Sequence, residues 1–75
     1  MAEIMELNCL GMKCPRPIIE IAKAARKLPL GSEIIIMADD LAFESDVRAW
    51  AENANAEIAN LEREGKTIKA HLKLQ

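Results

Sequence analysis

Thr67-Ile68-Lys69-Ala70-His71-Leu72-Lys73-Leu74 decides the architecture of this 75-residue chain. Ile68, Ala70, Leu72 and Leu74 fall on one side of an extended strand, and Thr67, Lys69, His71 and Lys73 on the other. Successive side chains point to opposite faces of a sheet, so one face is buried and the other is wet, which implies two layers. Upstream, Glu57 to Arg63 and a turn at Glu64-Gly65-Lys66 make the strand the second arm of a hairpin. Ile58 and Leu61 are out of phase, which predicts a bulge near Ala59. Before the hairpin, Phe43, Val47, Trp50, Ala51 and Ala54 recur at helical spacing, opposite Glu44, Arg48 and Glu52, with Asp39 and Asp40 as candidate caps.

The apolar, β-branched run Glu33 to Ala38 reads as a central strand. From Pro15, the positions Ile18, Ile21, Ala22, Ala25 and Leu28 form the apolar face of another helix, which Pro29 and Gly31 stop. Ile4, Met5 and Leu7 lie in a first strand that runs into a turn around Asn8, Cys9 and Gly11. The order is βαβαββ, in the α/β (α+β) class. A right-handed crossover makes the first two strands parallel within a four-stranded mixed sheet, and both helices lie on one face of it. Residues 1–75 read as one domain, near the lower size limit for a single core without staples.

Hydrophobic residues make up 51% and charged residues 29% of the chain, and nothing approaches the ~20 apolar residues of a membrane span. The stretch from Met1 to Glu6 lacks the basic flank and apolar core of a secretory signal, so the expected location is the cytoplasm. The composition suits a soluble protein, and a monomer is expected. A reducing compartment keeps Cys9 and Cys14 as thiols, and a lone Cys-x₄-Cys is no zinc pattern, so no metal is expected. The net charge of −2 and the buried reading of Phe43 and Trp50 argue against direct nucleic-acid binding. Charge is unevenly spread. Lys13, Arg16, Lys23, Arg26 and Lys27 outnumber Glu3, Glu6 and Glu20 in the first thirty residues, whereas only Arg48 and Arg63 oppose the acids between Glu33 and Glu64. The first helix is thus either a solvated basic face or a docking surface for an acidic partner.

Cys14 is the chemical candidate. In Gly11-Met12-Lys13-Cys14-Pro15-Arg16-Pro17, proline at the first helical position makes Cys14 the N-cap, and Pro17 stiffens a tight first turn. There the helix dipole, Lys13 and Arg16 favour thiolate over thiol, giving a rigid, exposed nucleophile. Cys9 reads as a buried structural thiol or, alternatively, as a resolving partner that would make the protein a thiol-redox protein. His71, the only histidine, is either solvated or paired with the thiol. Asp39 and Asp40 read as caps before they read as an acid-base pair.

The segment from Leu7 to Pro17, with its Gly-x-x-Cys-Pro-x-Pro core at Gly11, Cys14, Pro15 and Pro17, resembles the TusA/SirA-like family of small sulfur-carrier proteins. So do the later Leu-Gly-Ser-Glu turn and Ala38-Asp39-Asp40. The resemblance implies a two-layer α/β sandwich and a sulfurtransferase role without cofactor. Cys14 would accept a persulfide sulfur from a cysteine desulfurase or rhodanese-like donor and relay it to an acceptor protein. Branches of the family serve tRNA 2-thiouridine formation, molybdenum cofactor synthesis, sulfur oxidation or selenium metabolism. Many relatives carry Asp where this chain has Asn8. A regulatory or RNA- or protein-interaction module is the rival reading from another class.

Overall fold

Leu72 lies between Ile34 on one neighbouring strand and Ile58 on the other, and the sheet is built outward from that row. The computed structural model describes residues 2–75. Its elements are β1 (Ile4–Cys9), α1 (Arg16–Lys27), β2 (Glu33–Ala38), α2 (Phe43–Ala54), β3 (Glu57–Glu64) and β4 (Thr67–Lys73). The strands lie in the order β1-β2-β4-β3. β1 and β2 are parallel, and the other pairings are antiparallel. This is the mixed four-stranded sheet that the βαβαββ order with its parallel crossover predicts.

Ile34, Ile36 and Ala38 of β2 and Ile68, Ala70 and Leu72 of β4 are buried. They pack with Ile21 of α1 and with Phe43 and Val47 of α2 in one hydrophobic cluster. Each large side chain so buried contributes roughly 1.5–3 kcal/mol. The opposite face carries Glu33, Ile35 and Met37 beside Lys69, His71 and Lys73 and has no covering layer, so both helices share one side. The register of β3 breaks between Ile58 and Asn60, so Ala59 is the bulged residue and both Ile58 and Leu61 turn toward the core side.

Helix ends depart from the predicted pattern. α1 begins at Arg16 with Pro15 as its N-cap, one residue later than the sequence suggests, and Cys14 lies outside it. Pro17 is fully buried, so it packs in the core as well as stiffening the turn. Leu28, held extended before Pro29, ends the helix. Neither Asp39 nor Asp40 caps α2 with its side chain, because its N-cap is Ala42. Asn55, at φ 59°, ends α2, with the Ala56 N–H donating to the Ala51 carbonyl at 2.8 Å. Trp50 is half-buried and Ala54 exposed, so the apolar stripe of α2 is narrower than its spacing suggests. No helix among the described residues is long and apolar enough to cross a membrane.

Candidate functional site

The parallel pairing of β1 with β2 puts Cys9 beside Ala38, so the loops that follow the two strands leave the sheet side by side. In open α/β sheets this carboxyl end of parallel strands is where ligands gather. Here the loops are tied together. The Gly11 N–H donates to Asp39 Oδ1 at 3.0 Å, and Gly11 takes φ 83°, a conformation that residues with a Cβ rarely adopt. Asn8 Oδ1 accepts from the Leu10 N–H at 3.1 Å, and the Cys9 carbonyl accepts from the Met12 N–H at 3.1 Å. Asp40 Oδ2 accepts from the Ala42 N–H at 3.1 Å, which makes it an Asx turn before α2.

Cys14 lies at the tip of the first loop, exposed and free. The Cys14–Pro15 peptide bond is cis, and the Arg16 N–H closes the turn onto the Lys13 carbonyl at 2.9 Å. The sulfur does not serve the helix N-terminus. Its thiol donates to Asp46 Oδ2 of α2 at 2.7 Å, across 32 residues of chain. That bond is the main reason that the Cys14 thiol sits above the ordinary range, followed by desolvation and the negative charges of Asp46 and Asp40. The lowered value expected from the helix dipole, Lys13 and Arg16 is therefore overturned. A carboxylate from a second helix outweighs a dipole to which the sulfur makes no capping bond. The Cys14 sulfur and one carboxylate oxygen each of Asp40 and Asp46 lie within 4.8 Å of one another.

Beside the thiol runs an open groove of about 350 Å³ between α1 and α2, lined by Pro15, Ile18, Ala49, Trp50 and Asn53 together with Cys14 and Asp46. Of the other residues in the motif, Lys13 and Arg16 are exposed, next to a site whose nearest charges are acidic. Cys9 is 1% exposed and belongs to the core, where burial raises its thiol, Glu20 adds to the rise and Arg16 opposes it. His71 lies on the uncovered face of the sheet and bonds Glu33, with the sheet between it and the helices. Asn8 makes its bond within its own loop, and position 8 is not among the groups that shift Cys14.

Asp46 is the residue that sequence reasoning missed. It precedes the buried Val47 and stands four positions before Trp50, so helical spacing places both along one edge of the apolar stripe. That edge was legible in the sequence. Its proximity to Cys14 was not, because it depends on how α1 and α2 pack.

Comparison with known proteins places the chain in a family. The chain is 33% identical over 58 residues to a candidate sulfur carrier protein of Archaeoglobus fulgidus, covering 77% of this chain and 75% of that one. It is 31% identical over 67 residues to YrkF of Bacillus subtilis, also named as a candidate sulfur carrier, covering 89% of this chain but 36% of YrkF. A third such protein, from Aquifex aeolicus, is 32% identical over 63 residues, covering 83% of this chain and 32% of that one. The chain thus spans three quarters of the first relative and about a third of the other two. The crystal structure of a SirA-like protein from Desulfitobacterium hafniense shares the fold, with a TM-score of 0.80 at 23% identity, over 91% of this chain and 93% of that one. The model of the sulfurtransferase TusA matches residues 5–74, which takes in the Cys14 loop, both helices and all of the sheet but Ile4, so this chain belongs to the TusA sulfurtransferase family.

Proposed function

We propose that Cys14 carries sulfur between proteins as a persulfide. One observation carries the reading: of the two thiols, Cys14 alone stands exposed, at the tip of a tied loop and beside a groove that a partner can enter, while Cys9 is sealed in the core. Gly11, Lys13, Pro15, Arg16 and Pro17 shape and present that loop. In the loading step, the Cys14 sulfur attacks the terminal sulfur of a donor persulfide, R–S–SH. A Cys14–S bond forms and the donor's S–S bond breaks. The electron pair stays on the R–S sulfur, which takes up the proton that Cys14 gave up. In the unloading step an acceptor thiolate attacks the terminal sulfur of Cys14–S–SH, the S–S bond at Cys14 breaks with its electron pair left on the Cys14 sulfur, and that sulfur takes a proton from solvent to return as the thiol. Nothing is oxidised or reduced overall, and the protein works as a stoichiometric relay.

The donor in this reading is a cysteine desulfurase or a rhodanese-like protein of the cytoplasm. The acceptor is a protein thiol on a route such as the one to tRNA 2-thiouridine. Incubation with a cysteine desulfurase and cysteine, followed by non-reducing mass spectrometry, is expected to show one added sulfur on Cys14, absent in Cys14→Ser. An adduct on Cys9, or one that survives in Cys14→Ser, overturns the assignment.

A further inference from the structure

Asp46 is the one residue that both bonds the Cys14 sulfur and lines the apolar groove next to it. A carboxylate has no proton to donate, so the 2.7 Å contact exists only while Cys14 is a thiol. Once ionised, the sulfur would face a like charge at the same place, with Asp40 adding a second. Among the described residues, the ion pairs are Lys23–Glu20, Arg48–Glu44 and Arg63–Glu44, and His71 bonds Glu33, so no basic side chain is paired with Asp40 or Asp46, although Lys13 and Arg16 flank Cys14 in the chain. The groove therefore offers an apolar floor at Ile18 and Trp50 and an uncompensated negative charge at Asp46, its only charged lining residue. The complement of that surface is a basic side chain next to an apolar one.

Building on the sulfur-carrier reading, we infer that Asp46 is a positioning residue that holds Cys14 in reserve as a neutral thiol, and that the groove receives from the sulfur-transfer partner a protein segment carrying a cation for Asp46 and an apolar side chain for Ile18 and Trp50. When the partner's cation takes over the carboxylate, the S–H···O bond is lost, the proton passes to solvent, and the thiolate is released where the partner's sulfur waits. Acidic small thiols and disulfides are turned away by the same carboxylates. The raised thiol of Cys14 agrees with this resting state.

The test needs no partner protein. Cys14 is reacted at low ionic strength with a cationic disulfide (cystamine), a neutral one (bis-hydroxyethyl disulfide) and an anionic one (dithiodiglycolate), and is alkylated by iodoacetamide across pH. In Asp46→Asn, the midpoint of the alkylation profile is expected to fall and the rate at neutral pH to rise severalfold. The cation-to-anion rate ratio is expected to drop at least about threefold, a difference that high salt removes. Asp40→Asn should move both readouts the same way by less, and it stands in if Asp46→Asn does not fold. An unmoved midpoint or an unchanged ratio overturns the inference. No persulfide enters these reactions, so the expected shifts without sulfur loading would uphold the role of Asp46 while removing the carrier reading. Normal loading with an indifferent Asp46→Asn would remove the inference alone.

Discussion

Two cysteines five positions apart meet opposite environments because one belongs to a strand and the other to a loop. Cys9 shares the core face of β1 with Met5 and Leu7, in register with Ala38, and desolvation raises its thiol. A thiol raised in the folded state binds its proton more tightly there than in the unfolded chain. Its contribution to stability is whole below the unfolded thiol value of about 8.5 and is lost as pH climbs through the higher folded one. Stability to urea is thus expected to decline above about pH 8.5, and Cys9→Ala to lessen that decline, leaving the share of the raised Cys14 thiol, while lowering stability at pH 7. Parallel slopes for the two proteins between pH 7 and pH 10 would count against burial as the source. Sulfur loading at Cys14 should be unaffected by Cys9→Ala.

At the level of elements, the bulge in β3 shows how a local irregularity serves the core. Ile58 pairs with Leu72 and Asn60 with His71, so Ala59 has no partner of its own. Without Ala59, Ile58 and Asn60 would become consecutive residues on opposite faces, as a regular strand requires. Deletion of Ala59 is therefore expected to leave a protein that unfolds cooperatively with the same core. Deletion of Lys69 should not, because it slips part of β4 by one residue and turns Ala70 and Leu72 or their neighbours to the wrong face. Urea unfolding followed by the fluorescence of Trp50 distinguishes the two. The same level explains why α2 starts without a side-chain cap. Asp39 is engaged with the Gly11 N–H and Asp40 with the Ala42 N–H, so both carboxylates tie loops at the candidate site instead.

For the molecule as a whole, one helix layer on one sheet face leaves little reserve. At roughly 0.05–0.15 kcal/mol per residue, a chain of this size holds about 4–11 kcal/mol of stability. Ile36 is fully buried between Leu7 and Ala70, and Ile36→Ala is expected to cost about 2–5 kcal/mol, a large part of that total. Ile35, its neighbour in sequence, points to the uncovered face, so Ile35→Ala should cost about 1 kcal/mol or less. Urea midpoints of the pair measure the difference, and equal losses would contradict the two-layer arrangement. The buried face was readable from period, in β4 by alternation and in α1 by the spacing of Ile18, Ile21 and Ala25, because burial on one side imposes its repeat on the chain, while the element order also needed the β-branched run of β2 and the turn residues Pro29 and Gly31. The motif singled out Cys14 as the candidate thiol, and of the two cysteines it is the exposed one. Its charge environment was not. Local neighbours in sequence, Lys13 and Arg16, argue for a lowered thiol, whereas Asp46 reaches the sulfur only because the packing of α1 against α2 closes a separation of 32 residues. Short-range pattern is written in the sequence itself; the sign of the field at Cys14 is set by a contact that exists only after the layers have packed.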